Sequence, residues 1–379
     1  MKIGIPKETA AGETRVALVP SLVAQLVRDG HTVTIERTAG SRASFADAEY
    51  EAAGAKLAQS AAEIYQNSNL ILKVQPPSKQ ESESFPTEST YIGLLAPLAN
   101  IDIIKVFTVR RITGFSMEFI PRITRAQSMD VLSSMATVAG YKAVLIAADR
   151  LPKMFPLLMT AAGTVPPATV LVLGAGVAGL QAIATAKRLG AKVEAFDPRP
   201  AVREQVKSLG AAFIEMELPE DVETEGGYAK ELSPEFMKKE MEAIASRLPK
   251  VDAVISTAQV FGKRAPILIT ADMVKLLRPG SVIVDLAAEQ GGNCELTKAN
   301  QTIEVNGVTI IGAVNLAATV PVDASQMYAR NTLNFLKLIY PKADSTPNFD
   351  DEIIKGACIT RNGLIVNDIV KNAMEGARS

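Results

Sequence analysis

The segment spanning residues 168–180 constrains the fold of this chain more than any other stretch. A short apolar run over 170–173 predicts a buried strand, and residues 181–188 predict a helix. A second predicted strand, 192–196, ends at Asp197. Between the first strand and the helix lie three glycines: Gly174, Gly176 and Gly179. Strand, glycine turn, helix, strand and acid follow one another in the order that a dinucleotide-binding unit requires, whereas a lone glycine-rich loop would need none of the other parts.

Each part of this segment has a physical task. Gly174 allows a tight turn, Gly176 lets the backbone approach a pyrophosphate, and Gly179 lets the helix pack closely on the strand. The free N–H groups at the helix N-terminus, at Val177 and Ala178, favour a bound phosphate. These features predict that the turn holds the pyrophosphate of a dinucleotide.

Asp197 follows Gly179 by 18 residues and predicts which nucleotide is preferred. Its carboxylate can accept hydrogen bonds from the adenosine ribose hydroxyls and would repel a 2′-phosphate, which favours NAD(H) over NADP(H). Arg199 weakens this exclusion without reversing it. Pro198 and Pro200 stiffen the turn that follows the acid.

Composition limits the class of protein. A chain of 379 residues is long enough for two domains, and its 21% charged and 47% hydrophobic residues are typical of a soluble globular protein. A net charge of −1 gives no electrostatic case for nucleic acid. Two cysteines suggest a reducing, cytoplasmic compartment. We expect no apolar run as long as a membrane span.

The chain contains one histidine, His31, which we expect at the surface beside a turn. Without it no imidazole remains for acid–base chemistry, although most hydroxy-acid and alcohol dehydrogenases move a proton together with the hydride. The chain therefore uses Lys, Asp or Glu for that purpose, or it catalyses a reaction without proton transfer. No residue is predicted as a metal ligand.

Alternating strands and helices predict an α/β fold of two Rossmann-like domains, with doubly wound parallel sheets and the cofactor cleft between them. We place the N-terminal domain at residues 1–133, completed by 313–379, and the NAD(H)-binding domain at 134–312. A long apolar helix over 133–150 is predicted to link them. The strands are predicted at 2–5, 32–36, 70–74, 91–95, 112–115, 170–173, 192–196, 212–215, 253–256, 281–286 and 309–311, and the other main helices at 20–28, 47–53 and 315–340.

Two polar segments have alternative interpretations. Residues 221–230, which include Gly227 and Tyr228, form either a surface insertion or a loop that folds over bound nucleotide. Residues 117–134 form either a solvated loop with a helix cap at Asp130 or Ser133, or a polar loop facing the cleft. The polar side chains of the second segment are Arg122, Arg125, Gln127, Asp130 and Ser133.

The second segment also resembles a known family. The run Pro-Arg-Ile-Thr-Arg-Ala-Gln-Ser-Met-Asp-Val-Leu-Ser-Ser, at 121–134, is similar to the Arg-Gln-Asp loop of the NAD(H)-binding component of proton-translocating nicotinamide nucleotide transhydrogenases. The segments at 159–168, 226–231, 279–287 and 291–294 also resemble that family, and the resemblance runs from residue 1 to about 365.

The resemblance implies a site made of two groups of residues. Arg122, Gln127, Asp130 and Ser133 would contact the nicotinamide half of NAD(H), the first three as catalytic residues, with Gln127 aligning the second nucleotide. The other cofactor-binding residues would be Gly174, Gly176, Val177, Ala178, Gly179, Asp197, Pro198, Arg199, Gly227, Tyr228 and Gln259.

The implied reaction explains the scarcity of histidine. Direct hydride transfer between two nicotinamides, in a Si-specific type of transhydrogenation, moves no proton at the reacting centre and needs the rings about 3–3.5 Å apart. NADP(H) would be bound by a separate component, because this chain has one fingerprint. The family also implies a homodimer, a membrane-spanning proton-channel subunit, and a peripheral position on the inner membrane through these partners.

Alanine dehydrogenase is the main alternative. The resemblance would place its substrate-binding arginine and lysine at Arg15 and Lys73, which are both present. Its catalytic histidine would fall within 94–100, which has none, and its aspartate at or near Glu289. A third hypothesis is a nucleotide-sensing protein that has kept the fold and lost the chemistry, although a sensor would not need a contact to a second nucleotide.

Overall fold

A computed structural model describes residues 1–215, 234–260, 263–342 and 345–376 of the chain. The chain divides into two compact units. Unit 1 comprises Met1–Met135 and Ala318–Ser379, and unit 2 comprises Ala136–Ala317.

The strands of the described residues form one large sheet in each unit and a separate hairpin in unit 2. In chain order they are β1 (Lys2–Ile5), β2 (Thr32–Glu36), β3 (Lys56–Ala58), β4 (Leu70–Leu72), β5 (Thr90–Gly93), β6 (Thr113–Ser116), β7 (Leu158–Thr160), β8 (Gly163–Val165), β9 (Thr169–Leu173), β10 (Lys192–Phe196), β11 (Ala212–Phe213), β12 (Ala253–Ser256), β13 (Val282–Asp285), β14 (Thr302–Val305), β15 (Val308–Gly312), β16 (Cys358–Arg361) and β17 (Leu364–Ile365).

Helices connect most consecutive strands. They are α1 (Pro20–Arg28), α2 (Asp47–Ala52), α3 (Ala61–Asn67), α4 (Lys79–Ser84), α5 (Ile101–Val109), α6 (Val131–Arg150), α7 (Val177–Arg188), α8 (Arg203–Ser208), α9 (Pro234–Ala245), α10 (Ala271–Val274), α11 (Pro321–Ile339), α12 (Glu352–Ala357) and α13 (Asp368–Gly376).

The six parallel strands of the two large sheets follow one order, and different antiparallel strands extend it at one edge. In unit 2 it is β11-β10-β9-β12-β13-β15-β14, and in unit 1 it is β17-β16-β6-β5-β4-β1-β2-β3. Each has a central pair, β9 with β12 and β1 with β4, at which the order of the chain reverses. This reversal is the topological switch point, outside which α/β sheets bind ligands. The predicted Rossmann-like α/β fold is confirmed, and antiparallel β14, β16 and β17 are added at the sheet edges.

The buried strands alternate between two cores. In β9, Val170 and Val172 belong to one apolar cluster of unit 2, whereas Leu171 and Leu173 belong to the cluster on the opposite face. Successive side chains of a strand point to opposite faces, so a continuous apolar run indicates a strand covered by helices on both sides. Strand β9 is therefore packed on both faces, and the glycine turn follows directly after its carboxyl end.

Helix α6 corrects one expectation. It is 20 residues long with a mean hydropathy of 1.5 over its most apolar window, so by length and composition it could cross a membrane. Its buried residues pack into protein cores: Val131 into a cluster of unit 1, and Ala143, Val144 and Ala147 into a cluster of unit 2. Since 33% of that apolar window is buried inside the structure, packing within the chain covers part of the apolar run.

His31 corrects another. It is 7% exposed and therefore not at the surface, although it lies in the turn between α1 and β2. Burial, together with the nearby N-terminal amino group, lowers its pKa. The residue is therefore a neutral core histidine next to β2, and it remains without a predicted catalytic role.

Candidate dinucleotide-binding site

The glycine turn follows β9 at the switch point of unit 2. Gly174 has a φ of +90°, and a Cβ there would lie 2.8 Å from Thr257 Oγ1. A Cβ at Gly179, inside α7, would lie 1.8 Å from the carbonyl oxygen of Gly174. Both positions require glycine because of the protein's own backbone and packing.

Gly176 is different from its two neighbours. Its φ is −73°, which any residue adopts, and it is the N-cap residue of α7. Among the described residues, the nearest atom to a Cβ at Gly176 is Arg199 Nη2, at 4.0 Å. Neither backbone conformation nor packing explains this glycine, so the space in front of it fits a group that approaches the backbone closely. The pyrophosphate of a dinucleotide is such a group, and the turn therefore passes a test of fit for NAD(H).

Asp197 lies at the end of β10 beside this turn and is 2% exposed. Its Oδ2 accepts a hydrogen bond of 2.7 Å from the backbone N–H of Ala175. Its Oδ1 accepts one of 2.9 Å from the backbone N–H of Arg199. The Arg199 guanidinium donates to both oxygens, from Nε to Oδ1 and from Nη2 to Oδ2, each at 2.8 Å. The structure thus brings the predicted acid, the arginine and the glycine turn together.

Glu240, on α9, is a second buried carboxyl group near Asp197 that the sequence analysis missed. Its side chain is 5% exposed. Burial, together with the negative charge of Asp197, raises the pKa of Glu240 to about 7. No motif marks this residue, because it lies 43 residues from Asp197 in the sequence and reaches it only through the fold.

A hydrogen-bonded network fixes the loop after β12, which carries Gln259. Asn293 joins this loop through its side chain: its Oδ1 accepts from the N–H of Ala258 at 3.0 Å, and its Nδ2 donates to the Ala258 carbonyl at 2.8 Å. Buried Asp285 holds Asn293 in turn by accepting from its backbone N–H at 2.7 Å. Gln259 donates to the carbonyl of Leu286 at 2.9 Å. The Gly-Gly-Asn-Cys run at 291–294 was the one signal in the sequence for this network.

The polar segment of unit 1 is more ordered than a solvated loop. Residues Thr124–Met129 form a 3₁₀ helix on which Gln127 is exposed, and Arg122 is exposed just before it. Asp130 caps α6: its Oδ1 accepts from the backbone N–H of Ser133 at 2.9 Å, and its Oδ2 from the Ser133 hydroxyl at 2.6 Å. The helix-cap interpretation is therefore correct for Asp130, and the cap holds the two predicted site residues together.

Side chains distant in sequence anchor this segment. Asn331 and Asn334 of α11 both donate to the carbonyl oxygen of Ser128, at 2.8 and 3.0 Å. Arg125 pairs with Asp351 at 2.6 Å and Glu352 at 3.4 Å. These contacts stabilise the backbone that presents Gln127, and they are invisible in the sequence because the partners are more than 200 residues away.

The switch point of unit 1 is filled by charged side chains. Lys73, just after β4, is 1% exposed and pairs with Glu81 at 2.9 Å and Glu8 at 3.7 Å. Glu13 is buried and binds Arg15 through two parallel hydrogen bonds of 2.8 and 2.6 Å. Burial raises the pKa of Glu13, but Arg15 and a hydrogen bond from Gln75 more than offset this and hold it at about 2. The two cations that correspond to an amino-acid site are thus neutralised internally.

The positions at which an alanine dehydrogenase would have its catalytic histidine and aspartate also lack the features of a substrate site. Ala96, within the segment that has no histidine, adopts a φ of +41°, and Glu118 accepts a hydrogen bond of 2.6 Å from its backbone N–H. Glu289 is exposed in a short 3₁₀ helix. Gly227 and Tyr228 lie outside the described residues. Within the ranges that the structure describes, no group of three or more His, Cys, Asp or Glu side chains could hold a metal ion.

Comparisons with known proteins agree along the whole chain. The family model "Alanine dehydrogenase/PNT, N-terminal domain" matches residues 4–139, and the corresponding C-terminal domain matches 143–368. The NAD(P) transhydrogenase alpha-subunit protein of Rhodospirillum rubrum is 48% identical over 97% of this chain and 98% of its own. An alanine dehydrogenase of Methanococcus maripaludis is 30% identical over 98% of this chain and 96% of its own. The crystal structure of a transhydrogenase from Sinorhizobium meliloti has a TM-score of 0.87 at 43% identity, covering 97% of this chain and 100% of the other.

Proposed function

We propose, from the premise that this chain belongs to the alanine dehydrogenase/PNT family, that it is the NAD(H)-binding subunit of a proton-translocating NAD(P)⁺ transhydrogenase. The reaction is NADH + NADP⁺ ⇌ NAD⁺ + NADPH, of the Si-specific type. Gly176 carries this proposal, because its φ is ordinary and, among the described residues beyond its chain neighbours, a Cβ there would meet only Arg199 Nη2, at 4.0 Å, so a closely approaching pyrophosphate is what accounts for it.

The residues of this chain have binding and orienting roles. In unit 2, Gly174–Gly179 would hold the pyrophosphate, with Val177 and Ala178 at the helix N-terminus, and Asp197 would bind the adenosine ribose. Pro198, Arg199 and Gln259 would line that end, and Gly227 and Tyr228 would belong to a loop that folds over the nucleotide. In unit 1, Arg122, Gln127, Asp130 and Ser133 would hold the nicotinamide half. Bound NADH supplies the hydride, and the protein aligns two rings and excludes water.

The charged switch point of unit 1 favours transhydrogenation over amino-acid oxidation. An alanine dehydrogenase would need Arg15 and Lys73 to bind a substrate carboxylate, but in this chain Arg15 already pairs with buried Glu13, and Lys73 with buried Glu8 and partly buried Glu81. Displacing such pairs would leave unpaired buried charges, which costs about 3–5 kcal/mol. Direct hydride transfer needs neither cation.

The proposal includes partners. NADP(H) would bind to a separate component, and a membrane-spanning subunit would pass protons, so this cytoplasmic chain would be peripheral on the inner membrane.

We propose a homodimer as well. The β7–β8 hairpin of unit 2 supports it, since this hairpin and the segment before it present exposed apolar side chains that a second copy could cover: Met154, Leu157 and Met159 are 56%, 53% and 75% exposed. A monomer in sedimentation velocity would contradict the dimer.

Cyclic hydride transfer tests the proposed function. The purified chain is mixed with the NADP(H)-binding component of a transhydrogenase, and reduction of an acetylpyridine analogue of NAD⁺ by NADH is followed with NADP(H) present. We expect turnover that requires both components and falls at least tenfold in Gln127→Asn, because a shortened amide no longer aligns the rings. Ser128→Ala, at an exposed neighbouring side chain, is the matched control.

The other outcomes identify the alternatives. NADH oxidation by the chain alone with pyruvate and ammonia would show an amino-acid dehydrogenase. Tight NADH binding with neither activity would indicate a nucleotide sensor.

A further inference from the structure

The acceptor positions of Asp197 are shared between fixed and movable donors. Two hydrogen bonds come from backbone N–H groups, those of Ala175 and Arg199, which the turn and β10 hold in place. The other two come from the Arg199 guanidinium, in a fork that engages both carboxylate oxygens. Such two-point contacts between arginine and a carboxylate are among the stronger hydrogen-bonded pairs in proteins.

The position of the guanidinium is as informative as its pairing. Arg199 Nη2 lies 4.0 Å from the position that a Cβ at Gly176 would take, and it is the nearest described atom beyond the chain neighbours of that glycine. The same side chain therefore engages the predicted ribose-binding carboxylate and borders the predicted pyrophosphate position. A ribose cannot donate to the two oxygens of Asp197 while the fork holds both of them.

We propose that Arg199 gates the adenosine-ribose end of the site: its fork holds Asp197 and must swing aside when a nucleoside binds. This inference rests on the proposed function, since it assumes that the site takes an adenosine nucleotide. The backbone N–H groups of Ala175 and Arg199 still donate to the carboxylate after the fork opens. The cost of opening the fork lowers the apparent affinity for any ligand that uses Asp197.

The gate also modifies nucleotide specificity, because Arg199 weakens the exclusion of a 2′-phosphate by Asp197. Once displaced, the guanidinium is a cation close to the ribose, where it attracts a 2′-phosphate and repels nothing in an unphosphorylated ribose. Removal of the guanidinium should therefore have opposite effects on two simple ligands. Uncharged adenosine gains from the loss of a competitor, whereas adenosine 2′-monophosphate loses a cation.

The test is competition of these two ligands against NADH, which is followed by its own fluorescence, since the chain contains no tryptophan. The pH is kept above that at which Glu240 titrates, so that its charge is constant. In Arg199→Met we expect adenosine to bind roughly fivefold tighter, because the fork no longer reduces the competent population. Adenosine 2′-monophosphate should bind more weakly than to the unsubstituted chain. Arg199→Lys keeps the charge without the fork and should give a smaller gain in affinity for adenosine. This variant also provides the test if Arg199→Met fails to fold.

Arg203→Met is the matched control, because it removes one charge from the same segment at an exposed pair with Glu215. It should leave adenosine binding unchanged, and an equal gain there would overturn the gate in favour of a general charge effect. Unchanged or weaker adenosine binding in Arg199→Met, with NADH still bound, would overturn the gate alone. Failure of the unsubstituted chain to bind NADH would overturn the proposed function and the gate together.

Discussion

The two units share a reversal of strand order but have different residues at the switch point. Each sheet reverses its order at a central pair of strands, β1 with β4 in unit 1 and β9 with β12 in unit 2, and so creates a crevice at their carboxyl ends. In unit 2 the crevice is lined by glycines, and at one of them, Gly176, a Cβ would meet only Arg199 Nη2 among the described residues beyond its chain neighbours. In unit 1 it is filled by Lys73 and its glutamate partners.

The comparison teaches that the fold provides a crevice and the side chains decide its use. Buried ion pairs in unit 1 satisfy one another, so a ligand would have to displace them. In unit 2 the polar groups are backbone N–H groups at a helix start and one carboxylate held by an arginine, all of which a nucleotide can engage. Fold alone would not separate these cases.

The largest expected effect is on the free energy of unfolding, when a charge is removed from the crevice of unit 1. Lys73→Met should lower the free energy of unfolding by about 3–5 kcal/mol, because it leaves Glu8 and Glu81 as unpaired carboxylates around an apolar side chain. Urea denaturation followed by circular dichroism measures this. The loss should shrink at acidic pH, where these carboxylates take up protons. Lys105→Met, at an exposed pair with Asp102, should cost less than about 1 kcal/mol.

The next prediction concerns pH dependence in the glycine-lined unit. The pKa of Glu240 is raised from 4.5 to about 7, so the folded state binds this proton more tightly than the unfolded state. The stability it contributes is therefore present below pH 4.5 and is lost as the pH rises through 7, by about 3 kcal/mol. Glu240→Gln should remove this loss and flatten the unfolding free energy between these values. Glu242→Gln, an exposed neighbour on the same helix, should keep the slope, and an unchanged slope in Glu240→Gln would contradict the assignment.

The smallest expected effect sharpens the interpretation of the glycines. Gly176→Ala should change the unfolding free energy by less than about 1 kcal/mol, mainly through the poorer N-cap, because its φ is ordinary and its Cβ would lie 4.0 Å from Arg199 Nη2. NADH affinity should nevertheless fall roughly tenfold or more, since the methyl group occupies the position that the pyrophosphate would approach. Gly179→Ala should instead destabilise the fold through its contact with Gly174. NADH binding by Gly176→Ala at full affinity would remove the main support for the nucleotide site.

Local patterns were sufficient for several elements. The bounds of β1, β2, β10, β12 and α1 are those predicted, because each shows a local apolar pattern, and all but β12 are followed directly by proline or a charged residue. The missed strands are short or lie at edges, such as β3, β14, β17 and the β7–β8 hairpin, where pairing with a neighbour and not composition selects the strand. Helix α9 was also missed, since its charged sequence acquires a buried face only against the rest of unit 2.

The sequence by itself determined that the chain has alternating α/β domains, one dinucleotide fingerprint and an acid at its end, because these depend on residues within about thirty positions of one another. Only the tertiary structure decided what those residues face. It showed that packing requires glycine at 174 and 179 but not at 176. It also showed that the Arg199 guanidinium pairs with Asp197, and that Lys73 pairs with Glu8, 65 residues away in the sequence. Contacts of that kind depend on how segments distant in the sequence pack together, and a local pattern of residues does not specify which atoms from other segments will contact it.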